Sequence, residues 1–240
     1  MAYGTKYQFQ SLNGDGDVCT VQIQQDGYSG GVTDLTPAAD FFRVTWGQEG
    51  QQDLTRPLQI ANAELRFIGD NDGQAALQDV FDSPDTDYRV RFLVAGTLEW
   101  QGFVATDLRR YNPWIDSETV KLEALDGLAL LENRAAYTDS GYSLTAALRE
   151  ILRGLHDLPI WTSMDWHPYD GGNATTDPPL DVLDLNDKAY QQLDDEGNVE
   201  DDSGPGVDLD QRTQLEDILG RFGLVCRLAE GRWDLVQRDQ

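Results

Sequence analysis

Lysine is almost missing from this 240-residue chain, where Lys6, Lys121 and Lys188 are the only three. Fifteen arginines bring the basic total to 18 against 43 acidic residues, 32 of them Asp, and the formal net charge is −25. A surface this negative repels phosphates and anionic headgroups, so neither a nucleic-acid surface nor lipid binding is expected. Cysteine is equally scarce. Cys19 and Cys226 lie in apolar, strand-like contexts and are expected as two buried free thiols, which excludes a disulfide framework. No apolar run approaches the ~20 residues that cross a bilayer. The opening Met-Ala-Tyr-Gly-Thr-Lys-Tyr lacks the apolar core of a secretory signal, so a soluble chain without membrane segment or Sec-type signal is expected.

Histidine is limited to His156 and His167, and neither stands at a spacing to a His, Cys or carboxylate that specifies a metal site or a triad. His156, at the end of an expected helix, reads as a partner of the C-terminal helix dipole. There is no Gly-rich phosphate loop and no Gly-x-Ser-x-Gly elbow. A glycosidase needs two opposed carboxylates, and 43 candidates give no way to select a pair. The expectation is a non-enzyme with no catalytic residue, no metal and no cofactor.

The acidic excess has two readings. A Lys-poor, Asp-rich coat resembles the surfaces of halophilic proteins, where concentrated salt screens self-repulsion. Alternatively it collects calcium, which requires oxygen ligands at loop-fixed spacings. Three acidic Gly loops fail that test against the EF-hand pattern. Placing Gly16 sixth leaves Ser11 first and Gln22 twelfth, placing Gly73 sixth puts Ile68 first, and placing Gly197 sixth puts Gln192 first. Asx-rich turns account for them instead.

What is abundant is two-residue alternation. Tyr88 to Val94 and Thr97 to Val104 alternate apolar and polar, with Tyr88, Val90, Phe92 and Val94 on one face. Ala95-Gly96 between them predicts a tight hairpin turn, and Glu118 to Gly127 a third strand. Tyr7 to Leu12, Val18 to Ile23, Phe41 to Trp46 and Ala61 to Ile68 alternate too, and a short apolar piece covers Leu77 to Phe81. Six or seven strands in about 125 residues predict a small antiparallel barrel, or a sandwich, over 1–128.

The remainder, 129–240, reads as an α+β region with two helices and a terminal hairpin. Ser143 caps a helix from Leu144 to about Leu155, ended by Gly154 and Pro159. Thr213-Gln-Leu-Glu216 fits a capping box for a helix over Gln214 to Phe222, and Gly223 ends it. A hairpin about Glu230-Gly231 follows. Between the helices lies a long acidic excursion over about 170–206, too poor in apolar residues to supply much core. Tyr111, Trp114, Trp161, Trp166 and Tyr169 are the candidate site residues, as glycan-stacking or subunit-interface aromatics.

A resemblance follows from five segments in order: Gln22 to Leu35; Tyr88 to Val104; Val120-Lys-Leu-Glu-Ala-Leu-Asp-Gly-Leu128; Ser143-Leu-Thr-Ala-Ala-Leu-Arg-Glu-Ile-Leu152; and Leu219-Gly-Arg-Phe-Gly-Leu-Val-Cys-Arg-Leu-Ala-Glu-Gly-Arg-Trp-Asp-Leu-Val236. Their sequence and spacing resemble the N-terminal part of phage tail-tip and baseplate hub proteins of the Bacteroidetes-phage type. The resemblance implies a tail-tube-like small barrel and a structural virion protein at the distal end of the tail, connecting tube to tip or baseplate. It also implies a ring, as a homotrimer, with distal tail, tube and tape-measure proteins as partners. Synthesis in the host cytoplasm and residence in the virion are expected accordingly. The alternative is a carbohydrate-binding β-module on a tail, recognising host glycan.

Overall fold

A computed structural model describes residues 2–46, 56–69, 77–84, 86–105, 118–136, 143–162, 169–170, 173–174 and 210–237. The protein is mostly β with few helices. Its chain divides into two compact units, one of Met1–Asp53, Gln59–Gly127 and Leu228–Arg232, the other of Leu54–Leu58, Leu128–Arg227 and Trp233–Gln240.

The first unit is built on one eight-stranded sheet. Its strands are β1 (Tyr3–Leu12), β2 (Val18–Asp26), β3 (Thr33–Asp34), β4 (Thr36–Trp46), β6 (Ala61–Gly69), β7 (Tyr88–Val94), β8 (Thr97–Val104) and β9 (Glu118–Leu125), with β5 (Leu58–Gln59) belonging to a second sheet. The spatial order is β3-β1-β2-β7-β8-β9-β6-β4. All pairings are antiparallel except β1 with β3. Register puts the alternating apolar residues in rows on one face: Tyr7, Ile23, Val90 and Gly102 form one row, Leu65 and Leu122 pair in another, and Phe67 meets Val120. Val21, Ile23, Leu65, Phe67 and Val90 are fully buried.

The sheet is strongly curled. Phe42 of the terminal strand β4 stacks on Phe92 of β7 with centroids 4.1 Å apart, and Phe9 of β1 meets Phe41 of β4 and Phe67 of β6 at 6.0 Å each. Such contacts between strands distant in the order require the core face to be concave. The expected barrel is nonetheless not closed: among the described residues no ladder joins the two ends of the order. Local chemistry explains the gap. The outer edge of β1 is taken by β3 at Tyr7 and Gln8. On β4, Pro37 has no N–H to offer, and a bulge between Pro37 and Phe42 carries Asp40 at φ 53°.

The hairpin turn is tighter than its glycine alone implied, since Ala95 (φ 50°) shares the left-handed region with Gly96 (φ 84°). The expected common face holds for Tyr88 and Val90, which are buried. Phe92, stacked on Phe42, and Val94 are half-buried and continue the row, opposite Val21 and Cys19 of β2, while the register shift against β8 after Phe92 leaves the extra residue on β8. The apolar piece before β7 is a short helix, α1 (Gln78–Asp82), whose Val80 and Phe81 are buried with the preceding Leu77.

The second unit holds a 3-10 turn at Leu128–Asn133, α2 (Leu144–Arg153), β10 (Ile160–Thr162), β11 (Tyr169–Asp170), β12 (Asn173–Ala174), α3 (Gln211–Arg221), β13 (Leu224–Ala229) and β14 (Arg232–Gln237). Its main sheet has the order β10-β14-β13-β5, and β11 pairs only with β12 among the described residues. The apolar stripe of α2, Leu148, Ile151 and Leu152, is buried, as are Leu215, Ile218 and Leu219 of α3. Ser143 caps α2 as expected, its hydroxyl accepting from the Ala146 N–H at 3.3 Å. The cap of α3 differs. Asp210, three residues earlier than the expected Thr213, accepts from the Thr213 N–H at 2.7 Å and starts the helix one turn sooner. Asp210 is also held by a bridge to Ala135, a tertiary contact that selects it over the local Thr-x-x-Glu pattern.

Candidate functional site

Of the aromatic candidates, Tyr111, Trp114 and Trp166 lie outside the described residues, and Tyr169 is described only as part of β11. Trp161, on the three-residue strand β10, is exposed at 44%. Among the described residues no three His, Cys, Asp or Glu side chains converge as metal ligands. Cys19 and Cys226 are buried free thiols. His156 is buried rather than presented to solvent: its ring lies 6.1 Å from that of Trp233 at 17°, and its backbone N–H donates to the Leu152 carbonyl at 3.0 Å. In the Asn13 loop, the side-chain oxygen accepts from the N–H groups of Asp15 (3.0 Å) and Asp17 (2.8 Å), an Asx turn as expected. The other two acidic Gly loops lie outside the described residues.

The densest polar cluster is one the sequence did not announce. A bulge in β1 between Thr5 and Tyr7 leaves Lys6 without a partner on β2. Neighbours on a regular strand point to opposite faces, but here Lys6 and Tyr7 reach the same carboxylate, Asp79 of α1. The Lys6 ammonium pairs with Asp79 and donates to Gln25 at 3.0 Å and the Tyr88 hydroxyl at 3.1 Å. Tyr88 donates to Asp79 at 2.6 Å and Tyr7 at 3.2 Å. The rings of Tyr7, Tyr28 and Tyr88 surround the ammonium at 5.4 to 5.6 Å.

Burial opposes the Asp79 charge, but hydrogen bonds from Lys6, Tyr88 and Tyr7 outweigh it and hold the carboxyl below its ordinary value. Burial first, and then the neighbouring Asp79, push the phenols of Tyr7 and Tyr88 far above theirs. Both therefore stay protonated as donors. Every oxygen of Asp79 and the Lys6 nitrogen are occupied by protein groups, so the arrangement fastens α1 to β1 and β7.

A second network lies on β6 and β9. Glu64 faces Glu123 and Arg66 faces Lys121 across the ladder, two like-charged pairs that would repel if left alone. The diagonal contacts resolve this: Lys121 lies 2.6 Å from Glu64 and 3.0 Å from Glu123, and Arg66 pairs with Glu64. Beside it, at the β4 bulge, is an open pocket of about 300 Å³ whose described lining is Asp40, Phe42, Arg43 and Arg66.

No family model matches the chain, and no curated protein matches it. Among solved structures, the tail protein from Neisseria meningitidis MC58 overlaps 81% of this chain and 50% of its own at 10% identity, with a TM-score of 0.40. The 43 kDa tail protein of prophage MuSo2 from Shewanella oneidensis overlaps 82% of this chain and 55% of its own at 13% identity, with a TM-score of 0.39. The chain thus spans about half the length of these two proteins. Likenesses this distant establish neither a shared fold nor a shared role.

Proposed function

We propose that this chain is a structural component of a phage tail, a hub-like subunit that joins the tail tube to the tip or baseplate. The observation that carries the reading is the ordered succession of the five segments that resemble the N-terminal part of hub proteins. Those segments form framework in this molecule: β2 and β3 with their connection, the β7–β8 hairpin, β9, α2, and β13 with β14. A hub subunit of this kind associates as a ring, here a homotrimer, with tube, distal tail and tape-measure proteins as neighbours. Ring closure requires that one surface of each subunit meet a different surface of the next, and a long terminal strand such as β4 suits that demand. The role is load transfer rather than catalysis.

The test is mass by light scattering in dilute and molar salt, followed by imaging of purified particles with a chain-specific label. A symmetric oligomer or a label at one end of the tail is expected. A strict monomer in both salts that is absent from every particle would overturn the reading. The second reading, a glycan-binding module, draws on Trp161, an exposed indole suited to stacking on a sugar. Retention on a host-glycan column that is lost in Trp161→Ala would favour it.

A further inference from the structure

The pocket at the β4 bulge has a chemistry at odds with the rest of the chain. Register jumps from Pro37 opposite Phe67 to Phe42 opposite Leu65, so residues 38–41 bow away and Arg66 has no partner on β4. Asp40 at φ 53° lies in this bow, a costly conformation for a residue with a Cβ. The next residue to regain register on that face is Arg43, directly opposite Glu64. Glu64 is already engaged, one oxygen by Arg66 and the other by Lys121. Arg43 is consequently an exposed guanidinium with no ion pair to any described carboxylate, in a chain with 43 acidic and 18 basic residues. Asp40 lines the same pocket yet forms no ion pair with Arg43 or Arg66 among the described residues.

We propose that this pocket is a carboxylate-binding site that takes an Asp or Glu side chain from a second copy of this chain, with Arg43 as the anchor. A guanidinium presents a planar fork that matches a carboxylate bidentately. The volume, about 300 Å³, accommodates one such side chain with its water. The occupant follows from charge complementarity and position. Copies carrying −25 each repel one another, so association depends on local positive sites, and the chain itself supplies the acidic groups. The pocket opens on the terminal strand of the sheet, where a neighbouring copy can reach it. This choice of occupant rests on the reading of the chain as a self-associating subunit.

Sedimentation velocity over a concentration series at one fixed NaCl concentration tests it. Wild type is expected to self-associate, and Arg43→Glu to weaken association roughly tenfold or more. Arg43→Gln, which removes the guanidinium without setting a like charge opposite Glu64, is expected to weaken association as well while its melting temperature matches wild type. A positive readout comes from Arg43→Lys treated with a water-soluble carbodiimide, which condenses an amine with a carboxylate to an amide and releases the urea. An intermolecular crosslink from position 43 to an Asp or Glu is expected by mass spectrometry. Association unchanged by Arg43→Glu, or a crosslink absent from position 43, would overturn the proposal. A chain that is monomeric in solution yet present in particles would overturn it too, while leaving the tail reading standing.

Discussion

Lys6 and Asp79 are 73 positions apart, and their ion pair ties the first strand to the helix that precedes β7. It exists because a single bulged residue turns Lys6 toward the side that Tyr7 already faces. In so acidic a chain, each of the two described lysines neutralises carboxylates, Lys6 that of Asp79 on α1 and Lys121 those of Glu64 and Glu123 on the sheet.

That pair sets an acid limit. The Asp79 carboxyl is held below the ordinary 3.8, so the stability it contributes is present above that value and is lost as pH falls through the depressed one. Asp79→Asn should remove this part of the acid transition and cost on the order of 1 kcal/mol at neutral pH, a modest figure because the pair is partly solvated. Urea midpoints from pH 2 to 8 for both proteins check it. Curves parallel throughout would rule out the link. The raised phenols of Tyr7 and Tyr88 have the opposite sign, with stability present below pH 10 and lost as pH rises above it.

Gly102 is required for a different reason. A Cβ there would stand 2.2 Å from the Trp100 ring and 2.4 Å from the Leu125 carbonyl oxygen, and backbone cannot yield as a flexible side chain can. Gly102→Ala should destabilise by about 3 kcal/mol. At Gly14 nothing lies within 4 Å of the added carbon, and Gly14→Ala should change stability by less than about 0.5 kcal/mol. Equal effects in thermal melts would mean that Trp100 does not pack over Gly102.

The start of α3 separates two caps. Asp210→Ala should lose about 1 kcal/mol, because the Thr213 N–H loses its acceptor. Thr213→Ala should lose markedly less, since its hydroxyl is not the cap. Chemical denaturation of the two variants gives the order, and the reverse order would restore Thr213 as the first turn's cap.

Charge gives the broadest expectation. Raising NaCl from 0.01 M to 1 M shortens the Debye length from about 30 Å to about 3 Å, so repulsion within a −25 molecule is screened and the melting temperature should rise. A flat or falling melting temperature would remove the halophile-like reading.

The parts of this fold legible in the sequence are those that local physics decides alone. Alternation around Ala95-Gly96 was enough for β7 and β8, and Ser143 before an apolar stripe was enough for α2. Strands of two or three residues, such as β3, β5 and β10, contain too little alternation to detect. The α3 start was expected at the Thr213 capping box, and the local pattern misses Asp210 because the bridge to Ala135 that favours it is a tertiary contact. The Lys6 cluster and the Arg43 pocket both arise from bulges, which shift register without a sequence signature. Failure of the barrel to close depends likewise on what occupies each edge, which alternation does not encode.

The placement of β2 beside β7 has a kinetic consequence. Residues 27–87, which include β3, β4 and β6, intervene between β2 and β7 and must be looped out before the two can pair. Two local hairpins, β1 with β2 and β7 with β8, can zip in microseconds, whereas joining them closes a loop of some sixty residues. Among the described ladders the pair β4–β6 joins the sheet through β9, which itself follows β8 in the chain. The pocket at the β4 bulge is accordingly expected to form after β1, β2, β7 and β8 have paired.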